Sequence, residues 1–209
     1  MIDKICEKLL QLIRKETPNI NDEKADEIMY GLQLLVGEMP KIILLFAVAI
    51  ILKIGWLVIF AYITMLPYKI VAGGFHLKTH IGCTLGTFIV YFGNVLISKY
   101  IVFDPIWVKY LLIVLTEVLA IIMISLYAPA DTVNVPILRK KERKTKKILS
   151  YIFVTIMLIA SAIITNNTLS NILLISAFIE SISISRFAYK LTKNEYGYET
   201  YMKEQNVLN

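Results

Sequence analysis

Charge is scarce in this chain, and two long stretches have none. Charged residues make up 18% of its 209 positions, while 57% are hydrophobic; soluble domains are about a quarter charged. No charge occurs between Ile81 and Ser98 or between Ile148 and Thr165. Each stretch has the length a helix needs to cross a bilayer, roughly 17–25 residues, and this excludes an ordinary soluble domain. Cysteine is scarce too: Cys6 and Cys83 do not make a disulfide framework. Histidine occurs only at positions 76 and 80, so any imidazole chemistry rests on those two. There is no Gly/Ser linker, low-complexity tract or evident internal repeat. Residues 1–21 lack the apolar core and cleavage site of a secretory signal, so insertion is expected to rely on internal segments. No cofactor, metal ion or nucleic-acid partner is expected.

What is present reads as an all-α, polytopic membrane helix bundle with about six hydrophobic helices. Mean hydropathy is +0.65. Ile2, Ile5, Cys6, Leu9, Leu12 and Ile13 recur at spacings of three and four, which predicts an amphipathic helix broken by Pro18. Such a helix suits an anionic membrane surface or packing against the rest of the protein. Hydrophobic segments follow at 42–52, 56–66, 81–97, 110–126, 148–165 and 169–186. A single helix over 42–66 would place Lys53 at the bilayer centre, at a cost of about 2.5–3.5 kcal/mol. A turn at Lys53-Ile54-Gly55 avoids this, so two short, tilted helices are expected. The whole chain is then one membrane domain: an amphipathic segment 1–29, a bundle 30–188 and a tail 189–209.

The basic residues set the topology. Arg139, Lys140, Lys141, Arg143, Lys144, Lys146 and Lys147 crowd one connection, and Arg186, Lys190, Lys193 and Lys203 lie near the C-terminus. Basic loops stay cytoplasmic. Six crossings with both termini inside satisfy this pattern. The loop 127–147 and the turn 73–83 then also face the cytoplasm.

That turn carries the chemistry-bearing residues: Gly73-Gly74-Phe75-His76, then His80, then Cys83. Paired glycines let the backbone bend sharply and approach a ligand closely. Three readings compete. In the first, a histidine takes the proton of Cys83 and makes a thiolate nucleophile; a helix start would favour that charge. A continuous helix over 75–83 would hold His76 about 10 Å from Cys83 along the axis and favour His80. His76 qualifies as base only if 73–78 is a loop that folds back. In the second, His76, His80 and Cys83 are zinc ligands, although Leu77 stands where a zincin has glutamate. In the third, Cys83 is inert packing and the histidines are solvated. Glu117 and Glu180 fall inside predicted helices, where acids are functional candidates or interhelical hydrogen-bonding groups. Gly93 and Asn94 read as helix-packing residues, and so does Cys6.

The run Gly73-Gly74-Phe75-His76 with Cys83 seven residues later resembles the catalytic signature of the accessory gene regulator B family. Its members are membrane cysteine endopeptidases of Gram-positive quorum sensing. Tyr127-Ala128-Pro129-Ala130-Asp131-Thr132, followed by Pro136-Ile137 and the basic cluster, resembles that family's cytoplasmic loop. The resemblance covers nearly the whole chain. It implies that Cys83 is the nucleophile and His76 its general base, with no assigned role for His80. It also implies turn-forming roles for Gly73, Gly74, Pro129 and Pro136, a cell-membrane location and a homodimer. The implied substrate is a precursor peptide with an amphipathic leader, a signal sequence and an acidic tail. Arg139, Lys140, Lys141, Arg143 and Lys144 would be available to dock that tail, besides contacting anionic lipids. Two rival classes remain: a small transporter or export component using Glu117 and Glu180, and a membrane scaffold without chemistry.

Overall fold

The computed structural model describes residues 2–17, 20–77, 79–133 and 136–207. Among them the chain forms nine helices: α1 (Ile2–Glu16), α2 (Asp22–Ile51), α3 (Gly55–Ala72), α4 (His80–Tyr100), α5 (Trp107–Tyr127), α6 (Lys140–Ile163), α7 (Asn167–Ser183), α8 (Arg186–Leu191) and α9 (Gly197–Val207). The all-α class and the amphipathic first helix agree with the sequence. Spans Gly55–Ala72, Ile81–Tyr100, Trp107–Tyr127 and Lys140–Ile163 are long and apolar enough to cross a membrane. The 17-residue α7 covers about 25 Å.

The chain divides into two compact units, Met1–Gly55 and Trp56–Asn209. In the first, α1 packs along α2. Asn21 caps α2 by accepting the Lys24 N–H. The first hydrophobic helix is not short: α2 runs for 30 residues through Pro40. Glu38 and Lys41, the charges that argued against this length, lie one turn apart and pair with each other. The expected turn after α2 is present. Lys53 adopts a left-handed φ of 57°; its N–H bonds Ile50 O, and the Ile54 N–H bonds Ala49 O. This is the Schellman arrangement, here with lysine where glycine is usual.

In the second unit, α7 is the hub, packing on α4, α5, α6 and α8. Polar and small side chains turn inward, as expected where lipid removes the hydrophobic drive between helices. Asn94 of α4 donates to Ile172 O and to Ser176 Oγ, the latter at 2.8 Å. Asn171 donates to Ser98 O and Ile101 O. Ser161 of α6 and Ser170 exchange hydrogen bonds, and the Tyr68 and Ser181 hydroxyls lie 3.0 Å apart. The opposite polarity appears outside: Ile148, Ile152, Ile156, Ile159 and Ile163 form an exposed stripe on α6, while Ser150 and Ser161 are buried. Asn94 therefore acts as an interhelical fastener. Replacement by Leu is expected to cost about 1 kcal/mol, read as a lower melting temperature in detergent; an unchanged melt contradicts that role.

Candidate active site

The site begins where α3 ends. Gly73 and Gly74 have φ of +83° and +136°, a region that side-chain-bearing residues rarely enter. The chain then pairs with the segment after α5: Ala130 N–H donates to Ala72 O at 2.7 Å, and Gly74 N–H donates to Ala130 O at 2.9 Å. A Cβ on Gly73 would lie 2.1 Å from Ala130 O, and one on Gly74 would lie 2.8 Å from Ser183 Oγ. Glycine is thus required at both positions by conformation and by space. The two sequence elements that carried the family resemblance are joined through their backbones.

Residues 75–77, beyond the glycines, are non-helical, so the continuous helix over 75–83 does not form. Phe75 packs on the hydrophobic core and His76 is exposed. Thr79 caps α4 by accepting the Gly82 N–H at 3.0 Å. Cys83 follows within the first turn, its N–H bonded to Thr79 O; its side chain is half-buried. The continuous helix that would hold His76 a fixed distance from Cys83 is therefore absent, and residues 74–77 are non-helical. His80 opens α4, three residues before Cys83; its imidazole, and Lys78, lie outside the described residues. An open cleft of about 450 Å³ adjoins His76, lined by Leu77, Thr132, Val133, Lys193, Asn194 and Glu195.

A polar cluster anchors the second element. Asp131 is buried, and its Oδ2 accepts the N–H groups of Ile137 and Tyr198 and an Nη1–H of Arg143 at 3.0 Å. Tyr189 donates to the carbonyls of Ala130 and Asp131. Tyr196 stacks on Tyr189 with centroids 4.1 Å apart, and its hydroxyl donates to Ile184 O. Burial, then the Tyr196 ring and Asp131, hold the Tyr189 phenol well above the ordinary tyrosine range. Burial and then Tyr127 do the same for Tyr196. A phenol raised on folding contributes stability that is complete below the unfolded value of about 10 and falls only as pH rises through the folded one. Both hydroxyls therefore remain donors at neutral pH.

The basic run is not wholly a loop. Lys140–Lys147 form the first turns of α6, because i,i+4 pairing of Glu142 with Lys146 and the long side chains suit a helix. Arg143 is held by Asp131, Ile137 O and Pro129 O, and lies over the Tyr198 ring. Lys147 donates to Ser125 O. Arg139, Lys140, Lys141 and Lys144 are exposed. Pro129, with a cis peptide before it, and Pro136 lie on either side of Asp131. Glu117 accepts from Thr155 Oγ1. Glu180 is fully buried; a Cβ on Gly74 would lie 3.5 Å from its Oε1.

A family model described as Accessory gene regulator B matches residues 6–184. The chain belongs to the accessory gene regulator B family. A putative AgrB-like protein of Listeria monocytogenes serotype 4a is 24% identical, the match covering 91% of each chain. One from Listeria welshimeri is 23% identical with the same coverage. Accessory gene regulator protein B of Staphylococcus aureus strain JH9 is 29% identical over 76% of this chain and 81% of its own. No solved structure matches. The AgrB match stops before α8, so Tyr189, Asn194, Tyr196 and Tyr198 lie beyond it. Sequence reasoning assigned these residues to a cytoplasmic tail. The available signal was the recurrence of tyrosine at 189, 196, 198 and 201 in an otherwise polar segment.

Gly73→Ala is expected to destabilise the protein by about 2–4 kcal/mol and to raise amide exchange across 73–79. Gly93→Ala, with nothing within 4 Å of the added Cβ, serves as the comparison. Equal exchange and equal melting in both variants would contradict the glycine argument.

Proposed function

We propose that this AgrB family member is a membrane-embedded cysteine endopeptidase of a quorum-sensing system. It removes the C-terminal tail of a precursor peptide and promotes cyclisation of the signal that remains. The observation that carries the reading is the backbone pairing of Ala72–Gly74 with Ala130. It ends α3 at the glycines, so that His76 lies in non-helical chain four residues before α4, whose first turn contains Cys83.

The steps balance without a cofactor. His76 takes the Sγ proton of Cys83, and the sulfur attacks the carbonyl carbon that joins signal to tail. The C–N bond breaks as the imidazolium returns its proton to the leaving amine. The signal is left as a thioester on Cys83. A cysteine thiol or serine hydroxyl within the signal attacks that carbonyl as His76 takes its proton, closes a thiolactone or lactone, and frees the Cys83 sulfur, to which the imidazolium returns the proton. Intramolecular attack gains from high effective concentration.

The exposed Lys140, Lys141 and Lys144, with Arg139, suit docking of an acidic tail. Arg143 acts mainly within the chain, since Asp131 and two carbonyls engage it. A homodimer, lipid contacts and cytoplasmic termini belong to the same reading. For the transport reading, Glu117 is already hydrogen-bonded to Thr155.

The test is the purified protein in lipid with its matched precursor, followed by mass spectrometry. Wild type should release the tail; Cys83→Ala and His76→Ala should release at least about 1,000-fold less, and His80→Ala should retain activity. Glu at 140, 141 and 144 together should raise KM and leave insertion intact. Full activity in Cys83→Ala rules out the peptidase reading, and passage of intact peptide across the membrane without cleavage favours transport.

A further inference from the structure

We propose that Asn194 is a positioning residue for His76, and that residues 185–199 form a strap walling the cleft beside it. The inference rests on the peptidase reading and adds to it a segment that lies beyond the family match at 6–184. After α8, Lys193 takes a left-handed φ of 54°. Its N–H bonds Lys190 O and the Asn194 N–H bonds Tyr189 O, which is again a Schellman end. That turn directs Asn194 to the catalytic loop, where its Nδ2 donates to His76 O at 2.7 Å. The same amide nitrogen donates to Thr192 Oγ1 at 2.9 Å. With one N–H on His76 and the other on Thr192, the side chain has both donors engaged and its orientation fixed.

The strap has its own footing. Tyr189 donates to Ala130 O, the atom that also accepts the Gly74 N–H. The Tyr198 N–H reaches Asp131. A Cβ on Gly197 would lie 2.2 Å from Thr132 O, so α9 starts in close contact with the 130–132 segment. His76 is on an exposed loop, and loops are more mobile than the elements they join. One hydrogen bond to its carbonyl, from a segment braced against the far side of the same pairing, limits where the imidazole travels. Lys193, Asn194 and Glu195 also line the cleft, so the strap contributes to the surface a peptide would meet.

The test uses the full chain in lipid, with two readouts. The first is cleavage of the matched precursor by Asn194→Ala and Asn194→Asp. The aspartate variant keeps the volume but, ionised, cannot donate. Both should lower kcat about 10- to 100-fold and change KM less than about twofold. The second is alkylation of Cys83 by iodoacetamide at pH 7, read at that peptide by mass spectrometry. Asn194→Ala should slow it in the wild-type background and leave it unchanged in the His76→Ala background, because coupled residues are non-additive. Wild-type cleavage by both variants, or equal slowing of alkylation in both backgrounds, overturns the role of Asn194. Wild-type cleavage by Asn194→Asp alone also overturns it, since donation is then dispensable. If Cys83→Ala is inactive while the Asn194 variants are normal, only this inference fails. If Cys83→Ala cleaves, the peptidase reading fails and the inference with it.

Discussion

The Ala130 carbonyl organises the functional end of the second unit. It accepts an N–H from Gly74 and an O–H from Tyr189, while the adjacent Ala130 N–H donates to Ala72 O. Three chain segments meet at one residue. The first side chain beyond glycine at position 73 would collide with that carbonyl. The constraint is therefore steric as well as polar, and it fixes where α3 stops. A loop rather than a helix then leads to α4. Asp131, next in sequence, repeats the pattern with its side chain, gathering donors from Ile137, the start of α6 and the start of α9.

The helices that carry this end are built for a bilayer. Their apolar stripes face outward and their serines and asparagines face α7. In water, segregation would run the other way. Between helices surrounded by lipid, close packing and hydrogen bonds take over from hydrophobic burial. The hub is accordingly the helix with Ser170, Asn171, Ser176, Ala177 and Ser181 buried along it. Its far end, at Glu180 and Ser183, lies against Gly74, so the packing of the bundle and the placing of the loop are one problem.

Much of this was legible in the sequence. Long uncharged runs gave the membrane helices, and Lys53-Ile54-Gly55 gave the turn between α2 and α3, because a lysine at the bilayer centre is costly. The Gly-Gly pair gave the loop. The full length of α2 was not legible, because Glu38, Pro40 and Lys41 read as a break; the two charges neutralise each other at helical spacing. The helical start of the basic run was hidden because a dense cluster of lysines and arginines suggests a solvated loop. The strap was hidden for a different reason. Tyr189 and Asn194 matter through backbone carbonyls distant in sequence, and hydrogen bonds to carbonyls leave no residue-type signature in the segments that accept them.

The account turns on covalent chemistry at Cys83, and an acyl-enzyme is its most direct signature. Intact-protein mass spectrometry of the lipid-reconstituted chain, quenched in acid during turnover of its precursor, tests this. The expected result is an adduct with the mass of the tail-less peptide less one water, mapped to Cys83 and removed by neutral hydroxylamine. Turnover that proceeds with no adduct at Cys83 under rapid quench, and equally in Cys83→Ala, would contradict it.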